Sequence, residues 1–303
     1  MKIAFASCMN IAQCPEQTVW RDLANTSPDY LFLLGDQIYM DFYPHLLQSQ
    51  GWEAATFERE MDARYKRQFA EPNFAALLAS VRQRQGVDGG VYGTWDDHDF
   101  AWNDANGSEV PADKQAISRR LHALYVRGQQ AAPAQMYFSL PLVEAGLTVA
   151  TAIFLDTRSH SQPLGETNDL LGEAQFAWLT DQLANAQGQI IVCAGMPMRA
   201  TGKGWTRYGR DTQRFIELVR DRQVLFLTGD IHENAFIAPT PAMPLYEIVS
   251  SGAAVIKYVI TGKRRNFGLL ELLPDQIHIT LFERHQTKRY AINRRDFTAS
   301  EVE

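Results

Sequence analysis

The chain has 303 residues, 46% of them hydrophobic, which is enough to bury a sizeable core in one large domain or two small ones. A formal charge of −6 argues against a general nucleic-acid or membrane-surface binder, which needs a basic face, yet leaves room for a local basic pocket around a phosphate. Three cysteines, Cys8, Cys14 and Cys193, exclude a disulfide framework, leave at least one thiol free and fit a reducing compartment.

The first predicted element is the strand Lys2–Ala6, where a signal peptide would show a longer apolar core and a small-residue cleavage site. No stretch approaches the length of an apolar membrane-spanning helix. These features point to a soluble cytoplasmic protein, in which the sequon Asn106-Gly107-Ser108 is idle. A helix around Glu16–Leu23 follows, then the strand Tyr30–Leu34, a helix over Glu53–Phe69 and the strand Val91–Trp95. Next come a helix over Lys114–Gln130, the strand Thr148–Leu155, a helix over Glu173–Asn185 and the strand Gln189–Ala194. The helix Asp211–Arg220 and the strand Val224–Leu227 close this alternation. Beyond it, Leu245–Val249, Phe267–Leu273, Gln276–Glu283 and Arg289–Ile292 read as a run of antiparallel strands. Alternating elements followed by strands alone predict an α/β core with a second, partly antiparallel sheet. No repeat or linker marks a boundary, so residues 1–303 read as one domain. The irregular stretches Asp41–Gly51, Phe100–Asp113, Ser159–Gly172 and Met198–Arg210 are where function is expected.

Four predicted strands end in metal-ligand residue types. Cys8 follows the first; Asp36, Tyr39 and Asp41 follow the second; Asp96-Asp97-His98-Asp99 follows the third; Asp230 and His232 follow a later one. Ligands of open α/β sheets bind beyond the carboxyl ends of the strands, and a thiolate, imidazoles and carboxylates gathered there form a mixed cage. Taken singly, Gly35-Asp36 is a turn and Cys8 a small buried hydrophobe. Three carboxylates around His98, however, repel one another unless a cation or an exposed loop relieves them. Asp230 and His232, two residues apart, share one side of an extended segment. Other chemistries fail: no arginine closes an anion loop after Cys8, Thr201-Gly-Lys203-Gly is no nucleotide P-loop, and no Gly-x-Ser-x-Gly elbow exists.

The set Ser-Cys8, Gly-Asp36-x-x-Tyr39, Trp-Asp-Asp97-His98-Asp, Leu-Asp156-Thr-Arg158 and Gly-Asp230-x-His232 resembles the alkaline phosphatase D family, a branch of the calcineurin-like metallophosphoesterases. The resemblance covers the catalytic domain and implies an α/β four-layer sandwich of two mixed β-sheets flanked by helices. It implies that Asp36 bridges two metals, with Cys8, Tyr39 and His232 completing an iron(III) site and Asp97 and Asp230 completing a calcium site. Zinc, manganese and magnesium are the alternatives. Thiolate, phenolate and imidazole suit a transition metal and carboxylates a hard cation. The expected function is hydrolysis of a small phosphodiester or phosphomonoester, diesters slightly preferred, by attack of a metal-bound hydroxide on phosphorus. His98 is the expected acid or transition-state stabiliser. Asn103 is a phosphate or metal contact. Arg158 either contacts substrate or pairs internally to support the site. One departure stands out: where relatives place Asn, Gln or His, this chain has Met196 and Met198, and a thioether is a poor ligand for a hard cation. That motivates an alternative, a metal-binding protein that has lost turnover. Trp205, Arg207, Tyr208 and Arg210 resemble the family's variable substrate loop or form a solvated one. His122, His278 and His285 read as structural or solvated, His45 as a weak site candidate, and the Arg-Arg pairs at 119, 264 and 294 as solvated faces.

Overall fold

Side chains alternate along the buried strands, and that alternation stacks the layers. In β1 (Lys2–Ala6) and β2 (Tyr30–Leu34), Ile3, Phe5, Tyr30, Phe32 and Leu34 face one way and Ala4, Ala6, Leu31 and Leu33 the other. The first set packs on Phe154 of β5 (Leu147–Phe154), Cys193 of β6 (Gln189–Cys193) and Leu227 of β7 (Val224–Thr228), which belong to a second sheet. The opposite face is covered by Trp20 of α1 (Val19–Ala24), Phe57 of α2 (Ala54–Phe69), Leu77 of α3 (Pro72–Gln85) and Leu121 of α5 (Ala112–Arg127). Beyond the second sheet, Val192 and Phe226 meet Phe176 of α6 (Gly172–Asn185) and Phe215 of α7 (Gly209–Val219). The order is helices, sheet, sheet, helices, as the resemblance implies. This is a computed structural model describing residues 1–41, 49–86, 89–199, 202, 204–258, 262–263, 265–284 and 286–302. His45, Arg264 and His285 lie outside them.

Among the described residues both sheets are mixed. The first runs β15 (Ala299–Val302), β14 (Gln286–Asn293), β13 (Gln276–Glu283), β12 (Asn266–Leu272), β1, β2, β3 (Val91–Thr94). In it β1–β2–β3 are parallel and β12 joins β1 antiparallel. The second runs β4 (Phe138–Glu144), β5, β6, β7, β9 (Tyr246–Ser250), β8 (Asn234–Ile237), parallel from β5 to β9 and antiparallel at both edges. A small hairpin pairs β10 (Ile256–Tyr258) with β11 (Gly262–Lys263).

Several features depart from the sequence reading, among them the short elements β10, β11 and β15, which it did not contain. The Leu245–Val249 segment does not open the terminal antiparallel run; as β9 it sits inside the second sheet, parallel to β7 and antiparallel to β8, and is buried along its whole length. Helix α3 went unread, although Pro72 opens it and the Glu71 carboxylate accepts the Phe74 N–H at 2.7 Å. Strands β4 and β8 are edge strands that lack full burial, and Pro141 interrupts the pattern of β4. No helix among the described residues is long and apolar enough to cross a membrane.

Candidate metal centre

Loops from both sheets meet at the carboxyl ends of β1, β2, β3 and β7, and two glycines allow it. A Cβ on Gly35, whose φ is +87°, would lie 2.5 Å from the Asp96 Cβ; one on Gly229 would lie 2.5 Å from the Leu34 carbonyl oxygen. The two Gly-Asp steps are therefore points of close approach between loops, which turn chemistry alone does not reveal. Cys8, Asp36, Asp230 and His232 all adopt left-handed backbone, with φ of 61°, 56°, 68° and 56°. Such residues cost on the order of 1–3 kcal/mol each and persist only where their surroundings over-determine them.

Around Asp36 the side chains fall into two groups. On one side, the Cys8 thiol donates to Asp36 Oδ2 at 3.2 Å, and the Tyr39 hydroxyl lies 3.3 Å from that oxygen and 3.1 Å from His232 Nε2. Ser251 ties this group together: its Oγ accepts the His232 N–H at 2.9 Å and lies 3.1 Å from Cys8 Sγ. On the other side, one oxygen each from Asp36, Asp96, Asp97 and Asp230 lie within 4.8 Å of one another. The strand end carries straight into α4 (Asp97–Phe100), a single turn boxed by Asp96 and Asp99. Asp99 also accepts the Asp36 and Gln37 N–H groups at 3.2 and 3.3 Å, locking the second strand's loop to the third's.

His98 is held from behind. Its Nδ1 sits 2.6 Å from Asp41 Oδ1, while Asp41 Oδ2 accepts the Asn103 N–H at 2.9 Å. Burial opposes the charged imidazole, but Asp97, Asp36 and Asp41 lift His98 to about 10. Burial, then the charges of Asp97 and Asp230, push Asp36 up to about 7 despite the pull of His98. Burial raises Asp96 well above the usual carboxylate range too, against the attraction of Arg158. The cluster thus holds more negative charge than its buried surroundings tolerate, and among the described residues Asp36 Oδ1 and Asp96 Oδ2 have no hydrogen-bond partner. Two orphaned carboxylate oxygens, on a residue whose other oxygen meets a thiol and a phenol and on one grouped with three further carboxylates, fit a pair of cations.

The sequence profile of the PhoD-like phosphatase family matches residues 3–261. The chain belongs to that family. No curated protein matches it in sequence. Its fold is similar to a dimetal phosphatase from Danio rerio, with a TM-score of 0.53 at 12% identity over 95% of this chain and 98% of that one. Wild-type Vps29 complexed with zinc, from Entamoeba histolytica, aligns over 97% and 99% of the two chains at 8% identity and a TM-score of 0.41.

Within this PhoD-like chain the structure gathers Cys8, Asp36, Tyr39, Asp97, His98, Asp230 and His232 at one place. Asn103 stands exposed at the rim, its amide donating to Asp104 Oδ2. Arg158 is only 5% exposed. Its guanidinium does make an internal ion pair, but with Asp96, at 2.5 Å, rather than with its neighbour Asp156. Asp156 instead accepts Trp95 Nε1 at 2.8 Å and the Arg158 and Ser159 N–H groups at 3.0 Å. Met196 lines a small cavity together with Asp230, Arg158 and Tyr208. In the 198–210 loop, Trp205 and Tyr208 are buried, while Arg207 and Arg210 are exposed and Arg210 pairs with Asp169. His122 is buried against Trp95, and His278 hydrogen-bonds Gln276 at the exposed face of β13. Three contributors escaped the sequence reading: Asp41 behind His98, Ser251 behind Cys8 and His232, and Asp96. Asp41 and Asp96 stood inside the quoted motifs with no sign of what they face, and Ser251 carries no local signal.

Proposed function

We propose that the chain hydrolyses phosphoesters, diesters ahead of monoesters, with metals held on both sides of Asp36. The observation that carries this is the shared carboxylate of Asp36, bordered by two unlike donor sets and left with an orphaned oxygen. Cys8, Tyr39 and His232 would hold iron(III), and Asp97 and Asp230 calcium, with zinc, manganese or magnesium as alternatives. When bound, such ions supply positive charge to the phosphoryl oxygens and lower the pKa of a water to make a nucleophile near neutral pH. The Cys8 thiol and Tyr39 phenol are both pushed well up, first by burial, so each must shed its proton to bind. With Nδ1 engaged by Asp41, His98 keeps Nε2 for the leaving oxygen, to stabilise its charge or protonate it. Asn103 at the rim and Arg158 in the cavity wall are the proposed substrate contacts. A thiolate ligand works in a reducing compartment, and the cytoplasm is the setting proposed.

Metal analysis of protein purified without chelator, with turnover of bis(4-nitrophenyl) phosphate in added calcium, tests the reading. Bound iron plus calcium-dependent turnover is expected; protein that binds no metal and releases no nitrophenolate would sink it. A colourless enzyme fully active with zinc or manganese would remove iron alone. A second reading, metal binding without turnover, rests on Met196 beside Asp230. Under it, added metal binds but the diester survives. Met196→Asn should then lower the calcium needed for turnover, and an unchanged calcium dependence would put Met196 outside the metal's reach.

A further inference from the structure

One side chain next to the metal centre has a donor that nothing uses. Asn106 is 6% exposed, and its Oδ1 accepts both the N–H of Ser108, at 3.2 Å, and the Ser108 hydroxyl, at 2.6 Å. A backbone N–H can only donate, so the atom facing it is the amide oxygen and the orientation of the side chain is fixed. Its Nδ2 therefore points elsewhere, and among the described residues no acceptor takes it. Asn106 lines the cavity next to the metal centre, with Asp230 and Arg158 at one end and Leu164, Met196 and Tyr208 along the wall. Two polar side chains of that lining are engaged elsewhere. The Tyr208 hydroxyl donates to the Gln162 carbonyl at 2.8 Å, and Arg158 holds Asp96 and the Ala105 carbonyl. Asn106 offers one N–H donor of fixed orientation beside Leu164, Met196 and the Tyr208 ring, in a lining that also carries the Asp104 and Asp230 carboxylates.

We propose that Asn106 is a substrate-binding residue and that the second organic arm of a phosphodiester lies across the open mouth of this cavity, whose own volume is only about 40 Å³. The Nδ2 donates to the ester oxygen of that arm, and the arm's apolar remainder rests on Leu164, Met196 and Tyr208. This rests on the hydrolase reading and extends it, because the Asp104 and Asp230 carboxylates of the lining disfavour the extra charged oxygen of a monoester. It also gives Met196 a role, since a polarizable thioether packs well on an aromatic or alkyl group.

The test compares two diesters that share a leaving group, phenyl 4-nitrophenyl phosphate and methyl 4-nitrophenyl phosphate. The wild type is expected to favour the phenyl arm in kcat/KM by about tenfold, the contribution of one small apolar group buried in a pocket. Leu164→Asp should bring that preference close to one. Asn106→Ser keeps an oxygen for the turn at Ser108 but removes the longer amide and its Nδ2 donor. It should raise KM for both diesters about three- to tenfold, the loss of one neutral hydrogen bond, and by more than it lowers kcat. Calorimetric binding of methyl phenyl phosphate against dimethyl phosphate should show the same preference without turnover. Turnover with no preference between arms, a preference that survives Leu164→Asp, or an unchanged KM in Asn106→Ser would overturn the subsite and leave the hydrolase standing. No turnover of either diester would take down the hydrolase reading and the subsite with it.

Discussion

On one side of Asp36 stand a thiol, a phenol and an imidazole, whose polar atoms satisfy one another through Asp36 Oδ2, His232 Nε2 and Ser251. Asp96, Asp97 and Asp230 stand on the other, where burial and then the charges of Asp97 and Asp230 raise the proton affinity of Asp96 and one of its carboxylate oxygens has no partner among the described residues. The first side is stable without an ion, which must displace protons to enter. The second is a reservoir of repulsion that an ion relieves. The comparison teaches that, on the proposed reading, two cations at one site would have different consequences: one would add reactivity to a settled hydrogen-bond cluster, and the other would add stability to an unsettled charge cluster.

The largest expected effect is on the residue both sides share. Asp36→Asn should cost both ions and slow diester hydrolysis roughly 10³–10⁴-fold, about 4–5.5 kcal/mol of barrier. Rates and metal content measured together check it, and a variant keeping both ions would break the picture of a shared ligand. Next in size is His98→Ala. Alkyl phosphoesters, whose alkoxide leaves poorly, should lose about 10²-fold or more, and nitrophenyl esters much less, with metal content unchanged. Equal losses would demote His98 to an electrostatic role, and loss of metal would make it a ligand.

Separating the two sides needs a pair of variants. Cys8→Ser should abolish any visible charge-transfer absorption yet retain calcium-dependent stabilisation, which at calcium near 100 times its Kd amounts to about 2.7 kcal/mol. Asp230→Asn should do the reverse, keeping the colour and losing the calcium effect in thermal melts. Identical behaviour of the two variants would collapse the distinction drawn above.

The smallest effect concerns a histidine outside the site. His122, buried among hydrocarbon and near the Arg127 charge, is driven down from 6.5 to about 3, whereas His98 is driven up by carboxylates. The unfolded chain binds a proton at His122 below pH 6.5 and the folded chain resists until about pH 3, so this contribution is intact above pH 6.5 and drains away as pH falls toward 3. His122→Phe should flatten part of the acid-side loss in urea melts taken across that window. An unchanged pH dependence would show that His122 does not report the buried environment assigned to it.

Much of the fold was legible because strand signals are local. β1 and β2 appear at the residues expected, since alternating side chains of five-residue strands separate the two faces wherever the partner sheet lies. β9 was placed in the wrong sheet because a fully buried strand does not disclose its neighbours, which here are β7, parallel, and β8, antiparallel. The edge strands β4 and β8 were missed because partial exposure blurs the period.

By itself the sequence determined which chemistry is on offer: the residue types after each strand, the Gly-Asp steps and the absence of any rival nucleophile motif. Tertiary structure alone decided how those residues divide. It set Asp41 against His98 across 57 positions, Arg158 against Asp96 across 62 and Ser251 against Cys8 across 243. Periodicity reports only the face on which a side chain lies. Which carboxylate meets a guanidinium and which is left for a cation depends on how two sheets stack and how closely their end loops approach, and no local pattern encodes that.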